Sequence, residues 1–185
     1  MSISTGKAIL GTLISAIVLM VLVPVGTYFA GTALDVTLGL RLLRTSMALT
    51  ISSAACATLG VFWISWAYSY LLFVGKGLPI EVFGRALHPT RYLVTTGAYA
   101  YTRNPILLGV LFLIVATALF ARSKAGLALA PLTAGVAILY LMLFEENALL
   151  RRFGDDYRRY RRCVPLLLPR LSSYVHEPTC DAPQQ

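Results

Sequence analysis

Three ionisable residues stand at the edges of apolar segments, where a charge is costly and therefore informative. Arg103 lies just before the apolar run that begins at Pro105, and Glu145 and Glu146 directly follow an apolar run that ends at Phe144. An ionisable group at the mouth of a membrane helix indicates a functional site with a paired partner. We therefore predict that Arg103, Glu145 and Glu146 form one pocket. Plain solvated charge at a helix end is the alternative interpretation of the two carboxylates.

The composition of the chain predicts an integral membrane protein. Of 185 residues, 57% are hydrophobic and only 13% are charged, and the mean hydropathy is +0.72. A soluble domain of this length is far less apolar. The formal net charge is +8, but the basic residues surround the apolar runs and do not form one basic face, so we predict no nucleic-acid partner.

The apolar runs predict an all-α, polytopic membrane helical bundle. Four segments are long enough to cross a bilayer or nearly so, and the short turn between the last two makes them an antiparallel hairpin. Gly31 to Thr45, which contains Asp35, is predicted to be a loop or interfacial segment, and a fifth crossing is left open if it enters the membrane. The four predicted spans are Ala8–Ala30, Ser46–Val74, Pro105–Ala121 and Gly126–Phe144.

Beyond the last span, Glu145 to Arg162 has the pattern of a basic amphipathic helix with a break near Gly154. Such a segment is attracted to anionic lipids, so we predict that it lies against the inner leaflet. The chain is predicted to have three regions. They are 1–74 with the N-terminal transmembrane helices, 75–171 with the cofactor-binding catalytic region, and 172–185 as a flexible tail.

The distribution of positive charge predicts the orientation. With four spans and a cytoplasmic N-terminus, twelve Lys and Arg residues lie inside and four lie outside. Because cytoplasmic loops carry the excess of positive charge, we predict that both termini and the candidate site face the cytoplasm, in the inner membrane.

Neither H-E-x-x-H nor a C-x-x-C pair is present, and we predict no metal site.

Two motifs in the C-terminal half resemble a known enzyme family. The segment Leu93 to Gly109 is followed by Glu145-Glu146-x-x-Leu149-x-x-x-Phe153-Gly154-x-x-Tyr157-x-x-Tyr160-x-x-x-Val164-Pro165. Both are similar to motifs of the membrane methyltransferase superfamily of isoprenylcysteine carboxyl methyltransferases and phospholipid methyltransferases. The resemblance implies S-adenosylmethionine as the methyl donor, bound on the cytoplasmic side by the C-terminal half.

The resemblance also implies roles for single residues. It marks Arg103, Glu145 and Glu146 as catalytic. Asn104 replaces a histidine of the family motif, and Leu107 replaces a tyrosine. The implied cofactor-binding residues are Arg91, Leu93, Val94, Gly97, Tyr99, Arg103, Asn104, Pro105, Ile106, Leu107, Glu145 and Glu146.

The predicted reaction is methyl transfer from S-adenosylmethionine to a lipophilic, membrane-embedded acceptor. A phospholipid amine, an isoprenoid-type carboxylate and a small lipophilic thiol all fit the apolar spans, and membrane lipids are the expected surroundings. Prenylcysteine enzymes carry an arginine about one turn before the glutamates, where this chain has Leu141 to Phe144. Two alternatives remain: an NADPH-dependent membrane sterol-type reductase, whose C-terminal motifs are similar, and a non-catalytic protein that retains the scaffold. The sequence does not predict an oligomeric state.

Overall fold

The computed structural model describes residues 14–15, 17–75, 81–82, 85–86 and 92–174 of the chain. Helices form nearly all of the regular structure in these residues, so the all-α prediction is confirmed. The α-helices are α1 Val23–Thr37, α2 Met47–Phe73, α3 Pro105–Phe120, α4 Lys124–Tyr140 and α5 Glu146–Cys163. The shorter elements are π-helical turns Val18–Leu22 and Leu141–Glu145, the 3-10 turn Gly97–Ala100, and the antiparallel two-residue strands β1 Glu81–Val82 and β2 Arg85–Ala86.

Three of the described helices are long and apolar enough to cross a membrane. They are Val18–Thr37 with 20 residues, Met47–Phe73 with 27 residues and Lys124–Cys163 with 40 residues. Helix α3 is a shorter apolar helix. These helices confirm an integral membrane protein, whereas the number of crossings stays a prediction.

The helix boundaries agree with the predicted spans in the middle of the chain and differ at both ends of the series. Helices α2 and α3 end within one residue of the predicted limits. Helix α1 continues to Thr37, although the prediction ended this span at Ala30 and expected a loop. The last helix does not stop at Phe144 but continues through the π-helical turn into α5. The predicted first residues of the first span, from Ala8, lie outside the described residues.

The chain divides into two compact units, which are described separately. The first unit contains Ser65–Ile106 and the residues from Leu139 onward, and it holds the predicted ionisable cluster. The second unit contains Leu13–Ile64 and Leu107–Ile138.

Small residues allow the helices of the second unit to approach closely. A Cβ atom on Gly31 would lie 3.0 Å from the Cα atom of Gly126, and one on Gly60 would lie 2.9 Å from the carbonyl oxygen of Gly109. Any larger residue at these crossings would push the backbones apart. Membrane helices use this arrangement because lipid provides no hydrophobic drive for their association, and close backbone packing supplies it instead.

A buried carboxylate joins α1 to the start of α4. The side chain of Asp35 is 3% exposed, and its Oδ1 atom accepts a hydrogen bond of 2.9 Å from the backbone N–H of Ala125. The first N–H groups of a helix have no partner within it, and a carboxylate there also interacts favourably with the helix dipole. Asp35, on α1, therefore supplies the hydrogen-bond acceptor that an N–H group at the start of α4 needs. This contact accounts for the continuation of α1 past the predicted limit.

The core of the first unit is built from aromatic side chains of α5. Tyr157, Tyr160 and Val164 are at most 3% exposed, and the partly buried residues packed against them are Leu93, Leu149, Leu150, Phe153, Cys163 and Tyr174. The tyrosines of the predicted amphipathic pattern therefore pack within the protein. The position of α5 relative to the membrane surface stays a prediction.

We expect replacement of Asp35 by alanine to lower the free energy of unfolding by about 1–3 kcal/mol, because a buried N–H group of α4 loses its acceptor. The Asp35→Asn variant keeps an acceptor oxygen and should lose less. The control is Asp155→Ala, since the Asp155 side chain is 80% exposed and is paired at the surface. Thermal unfolding of the purified protein in one detergent compares the three variants, and equal losses for Asp35→Ala and Asp155→Ala would contradict the assigned role.

Candidate active site

An ionic cluster of three side chains lies at the centre of the first unit. Arg103 donates from its guanidinium to Oε1 of Glu146, and a guanidinium nitrogen of Arg161 lies 3.2 Å from Oε2 of the same carboxylate. The side chains of Arg103 and Glu146 are only 11% and 7% exposed, whereas that of Arg161 is 46% exposed. Glu146 therefore connects one buried arginine to one half-exposed arginine.

A reversal of the chain at Gly154 brings Arg161 to Glu146. In a straight helix these two residues would lie about 22 Å apart along the axis. Gly154 instead has a φ of 53° and a ψ of −123°, which breaks the helical geometry within α5. Side chains disfavour this region strongly, so a glycine is the expected residue. The predicted break near Gly154 is confirmed, and the ion pair that it creates was not predicted.

A π-helical turn precedes the cluster. It covers Leu141–Glu145, and the backbone N–H of Glu146 donates to the carbonyl oxygen of Leu141. One wider turn changes the direction in which the following side chains point, relative to a regular helix. Such turns are rare and occur frequently at functional sites. In this chain the turn follows the apolar α4, contains Glu145 and ends directly before Glu146, and a 3.6-residue pattern in the sequence does not reveal it.

The backbone that carries Arg103 is held by a later segment of the chain. The N–H of Arg103 donates to the carbonyl oxygen of Pro165 at 2.9 Å, and the N–H groups of Arg170 and Tyr174 donate to residues 101 and 100. We call residues 165–174 the C-terminal strap. The strap supplies hydrogen-bond partners to an irregular segment that has no helix or sheet of its own, and so fixes the position of the arginine.

Side chains of residues 102 and 104 complete the contact with the C-terminal strap. The hydroxyl of Thr102, which is fully buried, donates to the carbonyl oxygens of Leu166 at 3.2 Å and Leu167 at 3.0 Å. The Nδ2 atom of Asn104 donates to the carbonyl oxygen of Leu166 at 3.0 Å. Asn104 was predicted to bind the cofactor, and in this structure its amide binds the strap.

Two predicted residues of the first motif, Gly97 and Tyr99, make close contacts within the first unit. Gly97 has a φ of 62°, and a Cβ atom there would lie 2.4 Å from the ring of Tyr70, so this position requires glycine. The carbonyl oxygen of Tyr99 accepts a hydrogen bond of 2.7 Å from the hydroxyl of Tyr160. Loss of water raises the pKa of the Tyr99 hydroxyl well above its usual value, and nearby Tyr160 and Glu145 raise it further. This hydroxyl therefore stays protonated.

A cavity of about 390 Å³ opens next to the buried tyrosines of the first unit. Aromatic rings dominate its lining, and they are joined by one exposed ion pair between Asp156 and Arg159. The lining residues are Tyr92, Leu93, Thr95, Phe153, Asp156, Arg159, Tyr160 and Tyr174. This volume lies within the range of small-molecule sites in proteins.

Most of the predicted site residues lie in the first unit, although no contact tests their roles. Arg103 and Glu146 are paired as predicted, and Glu145 is half-buried beside them. Val94 and Pro105 are buried, Ile106 is half-buried, and Pro105 is the first residue of α3. Leu107 belongs to the second unit. Arg91 lies outside the described residues.

Three residues in or next to the cluster were missed by the sequence analysis: Arg161, Thr102 and Tyr157. Arg161 stands in a run of arginines that was assigned as a whole to lipid attraction. Tyr157 was assigned to an apolar face, yet its side chain interacts with Arg103. The signal that was available is Gly154, because a glycine in a charged helical pattern indicates a break that can bring its two sides together.

The fold and the cluster define a membrane protein with a buried ionic site in its C-terminal half. The profile of the phospholipid methyltransferase family matches residues 49–156, which is more than half of the chain. The chain belongs to this family of methyltransferases, whose members use S-adenosylmethionine as the methyl donor. The predicted superfamily is confirmed.

Two curated relatives are similar to this chain. Methanethiol S-methyltransferase 2 of Bradyrhizobium diazoefficiens is 31% identical over 131 residues, which are 66% of this chain and 49% of the relative. Methanethiol S-methyltransferase of Mycobacterium tuberculosis is 42% identical over 71 residues, which are 38% of this chain and 28% of the relative. The chain thus spans about half the length of the first relative, and it matches a smaller share of the second. No solved structure matches the chain.

We expect Gly154→Ala to lower the free energy of unfolding by about 1–3 kcal/mol, because alanine must adopt a backbone conformation that its Cβ atom disfavours. The added methyl group meets no atom within 4 Å, so the cost comes from the backbone alone. Gly135→Ala is the matched control, since its methyl group also meets no atom within 4 Å and it lies inside α4. There alanine should stabilise by about 0.5–1 kcal/mol. If thermal unfolding shows that both substitutions change the free energy of unfolding in the same direction, the assigned chain reversal at Gly154 is contradicted.

Proposed function

We propose that this protein is an integral membrane methyltransferase that transfers a methyl group from S-adenosylmethionine to a small lipophilic thiol. The observation that carries the proposal is the buried Arg103–Glu146 pair with Arg161, in a chain of the phospholipid methyltransferase family. A buried charge pair is costly to assemble, and hydrophobic residues of similar size usually stabilise a fold as well or better. Function is a sufficient reason for such a pair to be retained.

The residues of the cluster fit the proposed cofactor. The Nε atom of Arg103 is buried and has no hydrogen-bond partner, so a ligand oxygen would satisfy it. Carboxylates and arginines suit the charged amino-acid end of the cofactor, and the aromatic cavity beside Tyr160 suits its adenosine end. Because arginines engage both oxygens of Glu146, we assign to Glu145 the contact with the ammonium group.

When bound, S-adenosylmethionine would supply an electrophilic methyl group: an acceptor sulfur would form a bond to the methyl carbon as the bond from that carbon to the sulfonium sulfur breaks, with a neutral thioether as the leaving group. Such a displacement depends mainly on the positioning of the two reactants and on the exclusion of water. Arg103 and Glu146 hold each other in place, and the C-terminal strap fixes the backbone of Arg103. The thiol proton would pass to solvent as the new carbon–sulfur bond forms.

The relatives direct the choice of acceptor. Both carry the name methanethiol S-methyltransferase, so the reaction in their names has a small, weakly polar thiol as acceptor. Such a thiol partitions into lipid and can approach from the membrane between apolar helices. A phospholipid amine is the second candidate, and the description of the family favours it.

The orientation and location belong to the same proposal. We place both termini and the ionic cluster on the cytoplasmic side of the inner membrane, where S-adenosylmethionine is made available. The excess of Lys and Arg in the segments assigned to that side supports this arrangement.

We expect the purified protein to convert methanethiol to dimethyl sulfide in the presence of S-adenosylmethionine, as measured by gas chromatography of the headspace. The Arg103→Met variant should lower the rate at least about a hundredfold, because the cluster loses the donor that orients Glu146. The exposed Arg41→Met is the control for loss of a positive charge and should keep the rate.

A double variant separates catalysis from folding. Arg103→Met combined with Glu146→Leu replaces the pair by apolar side chains and should keep the unfolding temperature close to that of the parent, since both buried charges are removed together and Arg161, which is 46% exposed, stays in contact with solvent. It should be inactive. A folded double variant with the parent's rate would refute the site, and methylation of phosphatidylethanolamine without methylation of methanethiol would replace the proposed acceptor.

A further inference from the structure

Arginines engage both carboxylate oxygens of Glu146. Oε1 accepts from Arg103, and Oε2 lies 3.2 Å from the guanidinium of Arg161. A carboxylate in this position acts as a spacer that holds two guanidinium groups near each other. The cluster is therefore richer in hydrogen-bond donors than in acceptors, because each guanidinium carries five N–H groups and no acceptor.

Two features show that donors remain for a ligand. The buried Nε atom of Arg103 has no partner among the described residues, and a buried donor left unpaired is unfavourable. Arg161 is 46% exposed, so part of its guanidinium is open to an incoming group. Glu146 contacts one side of the planar Arg161 guanidinium. The other side is open, and its N–H groups match the geometry of a carboxylate.

The position of Arg161 depends on the chain reversal and not on helical spacing. The helix after Gly154 returns this side chain to the carboxylate that precedes the break. Neighbouring arginines of the same helix make different contacts: Arg158 pairs with Asp155 and Arg159 pairs with Asp156, each at i,i+3 spacing on the surface. Among these arginines Arg161 alone reaches the buried cluster. It also lies beyond residues 49–156, which match the family profile.

We infer that Arg161, together with the Nε atom of Arg103, forms a carboxylate-binding site for the amino-acid end of the cofactor. This inference rests on the proposed function. In the bound state the ligand carboxylate accepts hydrogen bonds from the open side of Arg161 and from Nε of Arg103. Glu146 holds the two arginines in position. Arg161 is thus a binding residue, and Arg103 both binds and positions.

Two probes that differ only in the presence of the amino-acid end test the inference. S-adenosylhomocysteine has the adenosine, the thioether, the carboxylate and the ammonium group. 5′-Methylthioadenosine has the adenosine and the thioether alone. Binding of each probe to the detergent-purified full chain is measured by calorimetry for the parent, Arg161→Gln, Arg161→Lys and the control Arg158→Gln. The control also removes one positive charge and one ion pair.

We expect Arg161→Gln to weaken binding of S-adenosylhomocysteine by about 10- to 100-fold, which is the usual worth of a charged hydrogen bond. Binding of 5′-methylthioadenosine should stay within about twofold, Arg161→Lys should restore part of the loss, and Arg158→Gln should change neither affinity. Unfolding temperatures of all variants establish that each is folded.

Each other outcome has a distinct meaning. Unchanged affinity of Arg161→Gln for S-adenosylhomocysteine overturns the inference and leaves the proposed function intact. An equal loss for both probes also overturns it, because it shows a structural role for Arg161. If the parent chain binds neither probe, the proposed function fails, and the inference that rests on it fails with it.

Discussion

The pairing of a buried arginine with a buried glutamate is the constraint on which the rest of the first unit depends. Arg103 and Glu146 come from distant parts of the chain, and neither charge is tolerable without the other in surroundings of low polarity. Three local features surround this pair: the π-helical turn precedes Glu146, the reversal at Gly154 brings Arg161 to the same carboxylate, and the C-terminal strap holds the backbone of Arg103. Each of these departs from regular helical structure.

The sequence predicts the class and the main helices because apolar length is a local property. Helices α2 and α3 follow directly from runs of apolar residues, and Pro105 begins a helix where its missing N–H has no cost. The pairing of Arg103 with the glutamates was predicted from the same reasoning, since a charge at the edge of a membrane helix needs a partner. The family followed from motifs, and the comparison confirms it.

The rest depends on contacts between distant residues, which periodicity does not report. Asp35 was expected in a loop or interfacial segment, but it lies in α1, where its carboxylate accepts a hydrogen bond from the N–H of Ala125. Arg161 was grouped with its neighbours because their charges are identical, and only the reversal at Gly154 distinguishes it. Asn104 was assigned by motif position, whereas the carbonyl oxygen of Leu166 is its partner in this structure.

The C-terminal strap has a consequence for how the protein is made. Residues 100–104 are synthesised before the backbone groups that hold them, because those groups belong to residues 165–174. Until the strap is complete, this segment lacks the hydrogen-bond partners that fix Arg103. Assembly of the site is therefore a late event in synthesis.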